Sequence, residues 1–495
     1  MGLAIKQTHF TRQDHQRFLR KLNENLSTLE QILSDPDFGQ LPPSFGAELE
    51  MYLVDENGHA ASLNDKILEA AAHPQLQMEL NRYNLEYNLN PVDAKGNPFS
   101  KILLEMQQAL QQLQGLADRW QSRIVPIGIL PTLREQDLTS QAISDCARYR
   151  ALSDSLIRLR QEAFTVDIHG EESLSLSCED VTLEGANTSF QFHWLVTPQK
   201  FVDAYNAAQM VMPLVVALAA NSPLLMGRVL WDETRIALFK QSIDYRSDSE
   251  HKWRLPARVP FGFGWLRRSA FELFVEAAAL FPPLLPVIGD ENCAEIWRQG
   301  AMPKLEELRL HHGTVWPWNR AIFDPMGGGH LRIELRALPA GPTPLDMVAN
   351  SAFFVGLAQG LSRQMDQLIP SMPYQYAEYN FYRAAQFGLD AKLVWPDVKQ
   401  GHPTERPVVE LLQLLFPFAE EGLGQLGVAD KELKQWLSII KDRIQANTSG
   451  ARWQKRMWRR LNQQMTVEEA QAALLEKYIE QYKRALPVSE WSEAI

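Results

Sequence analysis

Glu48 and Glu50, two glutamates one residue apart on an apolar stretch (Phe45-Gly46-Ala47-Glu48-Leu49-Glu50-Met51-Tyr52-Leu53-Val54), have the type and spacing to do chemistry. In an extended chain, alternate residues share a face, so Glu48, Glu50 and Tyr52 point one way and Leu49, Met51 and Leu53 the other. The two carboxylates would stand about 6.5 Å apart, at ~3.3 Å of rise per residue. Like charges that close repel unless a cation sits between them, and a bound metal would supply it. A half-exposed edge strand with both glutamates in water is the other reading of this stretch alone.

Three more segments repeat the design. In Arg82–Asn90, Arg82, Asn84, Glu86 and Asn88 share a face opposite Tyr83, Leu85, Tyr87 and Leu89; Glu79, just upstream, is out of phase unless a turn or bulge intervenes. In Asn187–Val196, Asn187, Ser189, Gln191 and His193 oppose Phe190, Phe192 and Trp194. In Leu331–Arg336, Arg332, Glu334 and Arg336 oppose Leu331, Ile333 and Leu335. The polar faces lack lysine, which solvated faces commonly carry. Joined in an antiparallel sheet, they would form a floor of Glu48, Glu50, Glu86, Glu334, His193, Gln191, Arg332 and Arg336. Several carboxylates and an imidazole suit Mg²⁺ or Mn²⁺, and arginine forks suit phosphate; together they point to chemistry on a nucleotide.

The elements that must position this floor are legible as helical spacing over 10–34, 64–72, 100–122, 147–162, 198–220, 344–369, 406–420, 429–446 and 466–485. The segment 125–131 could enter the sheet, and 228–330 reads as an irregular, site-building excursion. The expected organisation is an N-terminal helix (1–40), a catalytic domain (41–400) and a helical extension packed on it (401–495). The fold class is α+β.

A formal charge of −11 argues against a nucleic-acid surface. The uncharged run 204–227 carries Asn206, Gln209, Pro213 and Asn221, so it reads as a buried helix rather than a membrane span. No secretory signal pattern opens the sequence. Cys146, Cys178 and Cys293 are scattered, which suits small core residues in a reducing cytoplasm. Gly422-Leu423-Gly424-Gln425-Leu426-Gly427 follows a helical stretch, not a strand, and so is not a dinucleotide site. Gly327-Gly328-Gly329 reads as a tight turn. The cluster Arg452, Lys455, Arg456, Arg459 and Arg460 reads as a solvated helical face, with nucleotide binding as the alternative.

Five motifs in order carry a family resemblance: Gly46-x-Glu48-x-Glu50, Glu79-x6-Glu86, Thr188-Ser189-x-Gln191-x-His193, Ala219-Ala220-Asn221-Ser222-Pro223, and Arg332-Ile333-Glu334-Leu335-Arg336. From about residue 45 to about residue 390 the chain resembles the glutamate–cysteine ligase family, and most nearly its second group, the bacterial carboxylate–amine ligases. The resemblance implies a glutamine-synthetase-like fold, a curved antiparallel sheet backed by helices. It implies metal ligation by Glu48, Glu50, Glu79, Glu86, His193 and Glu334, with Glu50, Glu334 and Arg336 at the catalytic centre. Gln191, Arg320, Arg332 and Arg336 would line the ATP site. Ser189, Arg235 and Asn319 would meet substrate, although a place in buried structural ion pairs is the alternative for Arg235, Asn319 and Arg320. The implied cofactors are ATP and Mg²⁺, with Mn²⁺ as a substitute. The implied partners are a small carboxylate, such as the glutamate γ-carboxyl, and an amine; self-association is left open.

The implied reaction activates the carboxylate as an acyl phosphate for amine attack. A guanidino-kinase-like phosphotransferase and a non-catalytic nucleotide or amino-acid sensor are the competing classes. The family's Gly-Thr-His-Pro segment appears here as Gly128-Ile129-Leu130-Pro131, without the histidine, and leaves both substrates open.

Overall fold

The alternating segment around Glu48 is a strand, β1 (Ser44–Val54), and it lies in the interior of a sheet, not at its edge. The structure is a computed structural model describing residues 5, 7, 9–247, 249–250, 255–397 and 402–494. β2 (Leu76–Met78), β3 (Asn84–Asp93) and β4 (Arg123–Val125) follow. β5 (Phe164–His169) and β6 (Ser173–Cys178) form a separate hairpin, which the sequence reading missed. After β7 (Phe190–Leu195) come a short ladder, β8 (Leu224–Leu225) with β9 (Arg228–Val229), and then β10 (Asn319–Asp324) and β11 (His330–Leu335).

The main sheet runs β10-β11-β7-β1-β3-β2, all antiparallel, with β4 pairing β1 beyond the reach of β7. Each principal strand has one apolar face, as the alternation requires. Leu49, Met51, Leu85, Phe190, Phe192, Trp194, Ile333 and Leu335 are buried behind the sheet. Phe45 stacks on Phe99 of the helix Pro98–Ala117, with ring centroids 5.4 Å apart. Large side chains of this kind each contribute about 1.5–3 kcal/mol on burial, so this face fixes the register.

The helices Pro198–Ala219 and Pro344–Ser362 lie in the same core and are buried almost all round. Pro198–Ala219 holds the first part of the long uncharged run, which continues into the following turn, and 89% of its most apolar window is inside the fold. The helix Val408–Gln425 crosses Pro344–Ser362 so closely that a Cβ on Gly422 would lie 2.0 Å from the Gly356 carbonyl oxygen. The glycine-rich motif is therefore a helix-packing contact, in keeping with its rejection as a dinucleotide site.

The residues after 402 divide between two cores. Helices Val408–Gln425 and Asp430–Gln445 join the core behind the sheet. Helices Gly450–Leu461 and Val467–Lys483 build a second core with Tyr52, Val125, Ile127 and the β5–β6 hairpin.

Two readings need correction. The stretch 228–330 is not irregular: it contains the helices Thr234–Ser242, Phe271–Leu280, Cys293–Arg298 and Glu306–His312, and edge strand β10. Their brevity hid the periodicity. The basic cluster on Gly450–Leu461 is solvated only in part: Arg459 and Arg460 are exposed, whereas Arg452 and Lys455 are mostly buried. Lys455 Nζ lies 2.6 Å from Asp232 and 2.7 Å from Glu171, Arg452 pairs with Asp390, and Arg456 and Arg460 pair with Glu493. These bridges tie the last helices to the body, and acidic partners occupy the cations that the nucleotide alternative required.

Candidate active site

Strand register assembles the polar face into two acidic groups. Glu334 of β11 lies opposite His193 of β7, and Glu48 of β1 lies opposite Gln191. Glu48, His193 and Glu334 each offer a ligand atom within 4.8 Å of the others. His193 Nε2 stands 3.0 Å from Glu48 Oε1 and 3.9 Å from Glu334 Oε1. Arg320, opposite Glu334 on β10, grips that carboxylate with two parallel bonds of 2.6 and 2.9 Å, and Arg336 Nη1 adds a third contact at 3.3 Å. Burial opposes ionisation of Glu334, but Arg320 and Arg336 hold it well below the ordinary carboxylate range. Burial also opposes ionisation of Glu48, and His193 outweighs it, taking the carboxyl down to about 2.

The second group is Glu50, Glu79 and Glu86, whose ligand atoms again lie within 4.8 Å of one another. Glu50 faces Glu86 directly across β1 and β3. Glu79 joins them because Gln77 pairs with Glu86, so odd residues of β2 share a face with even residues of β3. The phase problem seen in the sequence disappears: the residues between the strands form a turn, and Glu79 extends the face of Gln77.

Here the charges are not balanced. Burial, then the Glu48 charge, pushes Glu86 up to about 7, and burial with Glu86 and Glu50 pushes Glu79 well above the ordinary range. Glu50 is also raised by burial, despite Arg235 and Arg336 nearby. Three crowded carboxylates, all raised by burial, beside a carboxylate–imidazole group form a donor set of oxygens and one nitrogen without thiolate. That set fits hard divalent ions such as Mg²⁺ or Mn²⁺.

The surrounding residues hold this geometry. Gln191 donates Nε2–H to Glu50 Oε1 at 2.7 Å and accepts from Arg336 through its own Oε1, so it fixes both. The Ser189 backbone N–H donates to Glu50 Oε2 at 2.6 Å, and its hydroxyl accepts from Arg235. Arg235 is buried and paired with Glu233 at 3.0 Å; Glu233 also accepts from the Asn221 backbone and the Ser222 hydroxyl. The Ala-Ala-Asn-Ser-Pro segment thus anchors the ion pair under the floor, and Arg235 reaches the site through Ser189.

Two expected site residues are placed elsewhere. Asn319 pairs with Leu335, so it lies on the opposite face from Arg320. It is fully buried behind the sheet and donates to Gln209 at 2.7 Å, which removes it from the substrate-binding set. Arg332 shares the floor face, but its guanidinium bonds Asp324 at 2.9 Å, away from both acidic groups.

Residues missed in the sequence flank the second group. Tyr149, at the start of the helix Ala147–Arg160, donates to the Met78 carbonyl at 2.9 Å, and the charges of Glu79 and Glu86 act on its hydroxyl. Arg148 lies within electrostatic reach of Glu79 and Arg320. Glu184 lies within reach of Glu50 and Arg336. No local pattern announces any of them.

The fold is glutamine-synthetase-like: an antiparallel sheet with helices behind one face and two largely buried acidic clusters on the other. Residues 44–476 match glutamate–cysteine ligase family 2, and the chain belongs to that family. It is 23% identical over 387 residues to "Putative glutamate--cysteine ligase 2-1" of Frankia alni, covering 76% of this chain and 82% of that one. It is 23% identical over 400 residues to "Putative glutamate--cysteine ligase 2" of Thermobifida fusca, covering 78% and 81%. The glutamate–cysteine ligase of Francisella tularensis, solved in complex with AMP, superimposes with a TM-score of 0.55 at 12% identity over 90% of each chain.

Proposed function

We propose that this chain is an ATP- and Mg²⁺-dependent carboxylate–amine ligase that activates the side-chain carboxylate of a glutamate-like acid and joins it to an amine. The observation that carries this reading is the pair of acidic groups, Glu48/His193/Glu334 and Glu50/Glu79/Glu86, side by side on one floor with Arg320 and Arg336 beside them. Family membership supports the ligase chemistry, and the AMP carried by the Francisella relative supports a nucleotide site.

Divalent ions held there would offset the repulsion between an anionic carboxylate and an anionic triphosphate and stabilise charge on the transferring phosphoryl group. The protein's part is to keep those groups fixed. Gln191 aims Glu50 and Arg336, and Arg320 clamps Glu334. Arg336 would meet phosphate oxygen with a planar donor fork, at a point where negative charge accumulates. Ser189 joins the floor to Arg235, which contributes positive charge from below. The chemistry requires no protein nucleophile, and Cys146, Cys178 and Cys293 lie outside both acidic groups.

The test is product analysis with ATP, Mg²⁺, glutamate-like acids and a panel of amines. Equal amounts of ADP, phosphate and amide are expected. A stable phosphorylated acceptor without free phosphate would point to a phosphotransferase, and ATP binding without turnover for any pair to a sensor.

A further inference from the structure

A short turn, Glu184–Ala186, is tied to β1 two residues beyond Glu50. It is rigidly held. Tyr52, two residues beyond Glu50 on the same face, donates its hydroxyl to the Ala186 carbonyl at 2.7 Å. Asn81 donates to the Thr182 carbonyl at 2.8 Å, and Asn187 to the Glu184 carbonyl at 2.8 Å. Gly185 packs so tightly on Asn81 that a Cβ there would fall 2.4 Å from Asn81 Cγ.

The half-buried side chain carried by this turn has no structural use. Among the described residues the Glu184 carboxyl has no hydrogen-bond or ion-pair partner. The charges that reach it are Glu50, which repels, and Arg336, which attracts; Glu184 in turn raises Glu79. A half-buried carboxylate among carboxylates is unfavourable unless a cation joins it. Arg336 is engaged with Gln191 and Glu334, so Glu184 has no cation of its own and either keeps its proton or takes a cation brought by a ligand. In a ligase the amine substrate brings one, because an amine is an ammonium ion at neutral pH and cannot attack until it loses a proton.

We propose that Glu184 receives the ammonium group of the amine co-substrate and takes its proton as the amine attacks; this rests on the ligase reading above. The R–NH₃⁺ nitrogen gives one proton to the Glu184 carboxylate, and the freed lone pair forms the C–N bond at the activated carbonyl. The bond from that carbon to the phosphate oxygen breaks, with its electron pair staying on phosphate. Phosphate takes the second nitrogen proton as the amide forms. Burial, then the Glu50 charge, pushes the Glu184 carboxyl up to about 8, a basicity suited to accepting a proton near neutrality.

Hydroxylamine provides the test, because it is already unprotonated at neutral pH. With glutamate as the acid, wild type and Glu184→Gln are compared using an ammonium-type amine (cysteine, alanine or glycine) and using hydroxylamine. Loss of general-base help costs about 100- to 10,000-fold, so Glu184→Gln is expected to lower kcat/KM for the amine by that factor and hydroxamate formation by less than about tenfold. Glu184→Asp should recover part of the amine rate. Equal losses with both nucleophiles would make Glu184 a structural or metal-binding residue and overturn the inference, as would no loss with either. A wild type that forms neither product sinks the ligase reading and this inference with it.

Discussion

Glu86→Gln is expected to make the metal-free protein more stable while removing its response to metal. Burial and the neighbouring carboxylates push Glu86 from its ordinary 4.5 up to about 7. An acid whose pKa is raised on folding binds its proton more tightly in the folded chain. The metal-free fold therefore has this contribution in full below about pH 4.5 and loses it as pH rises through about 7. That rise from 4.5 to about 7, at about 1.4 kcal/mol for each tenfold change in proton affinity, makes the loss on the order of 3 kcal/mol at about pH 8. Glutamine is nearly isosteric and uncharged, and its carbonyl oxygen can still accept from Asn88 Nδ2, which lies 2.6 Å from Glu86 Oε1. Urea unfolding of both proteins at about pH 5 and about pH 8, with chelator or with millimolar Mn²⁺, measures the effect. In chelator at the higher pH the variant should exceed wild type by about 3 kcal/mol, and the gap should close at the lower pH. Mn²⁺ should stabilise wild type, by about 2.7 kcal/mol at a hundredfold excess over Kd, and the variant far less. A variant less stable in chelator, or one that gains as much from Mn²⁺ as wild type, would refute the unbalanced-charge account of this cluster.

Two other substitutions separate chemistry from architecture. Arg336→Lys keeps the charge and loses the planar fork that contacts both Gln191 and Glu334, so kcat should fall about 100- to 1,000-fold with unfolding unchanged; near-normal turnover would remove Arg336 from the phosphate site. Lys455→Met strands the buried Asp232 carboxylate and should cost about 3 kcal/mol of stability without altering Mn²⁺ binding; an unchanged unfolding midpoint would show that the bridge to the last helices contributes little.

The strands that carry the floor were legible because strict alternation and burial of one face are the same fact seen twice. Glu48, Glu50, Glu86, His193 and Glu334 meet because their apolar neighbours must all turn to the helices. Pairing was not legible. The phase of Glu79 depends on which residue of β2 faces Glu86, and only the register supplies that. Asn319 and Arg320 are adjacent, so a strand can present only one of them to the floor; that β10 exists at all was hidden in a stretch of short elements. Arg332 has the right face but the wrong neighbour, Asp324. Glu184 lies in a turn whose placement comes from Tyr52 and Asn81, far away in sequence. Long-range ion pairs such as Lys455 with Asp232 and Glu171 likewise make a clasp of the buried part of a face that is otherwise solvated.

Transfer of oxygen from the acid to phosphate tests the central claim most directly. With a glutamate-like acid labelled with ¹⁸O in its side-chain carboxylate, ATP, Mg²⁺ and an accepted amine, the released phosphate is analysed by mass. Activation as an acyl phosphate on this floor predicts one ¹⁸O atom in each phosphate formed with amide. Amide formation with unlabelled phosphate would contradict it, because the carboxylate oxygen would never have been bonded to phosphorus.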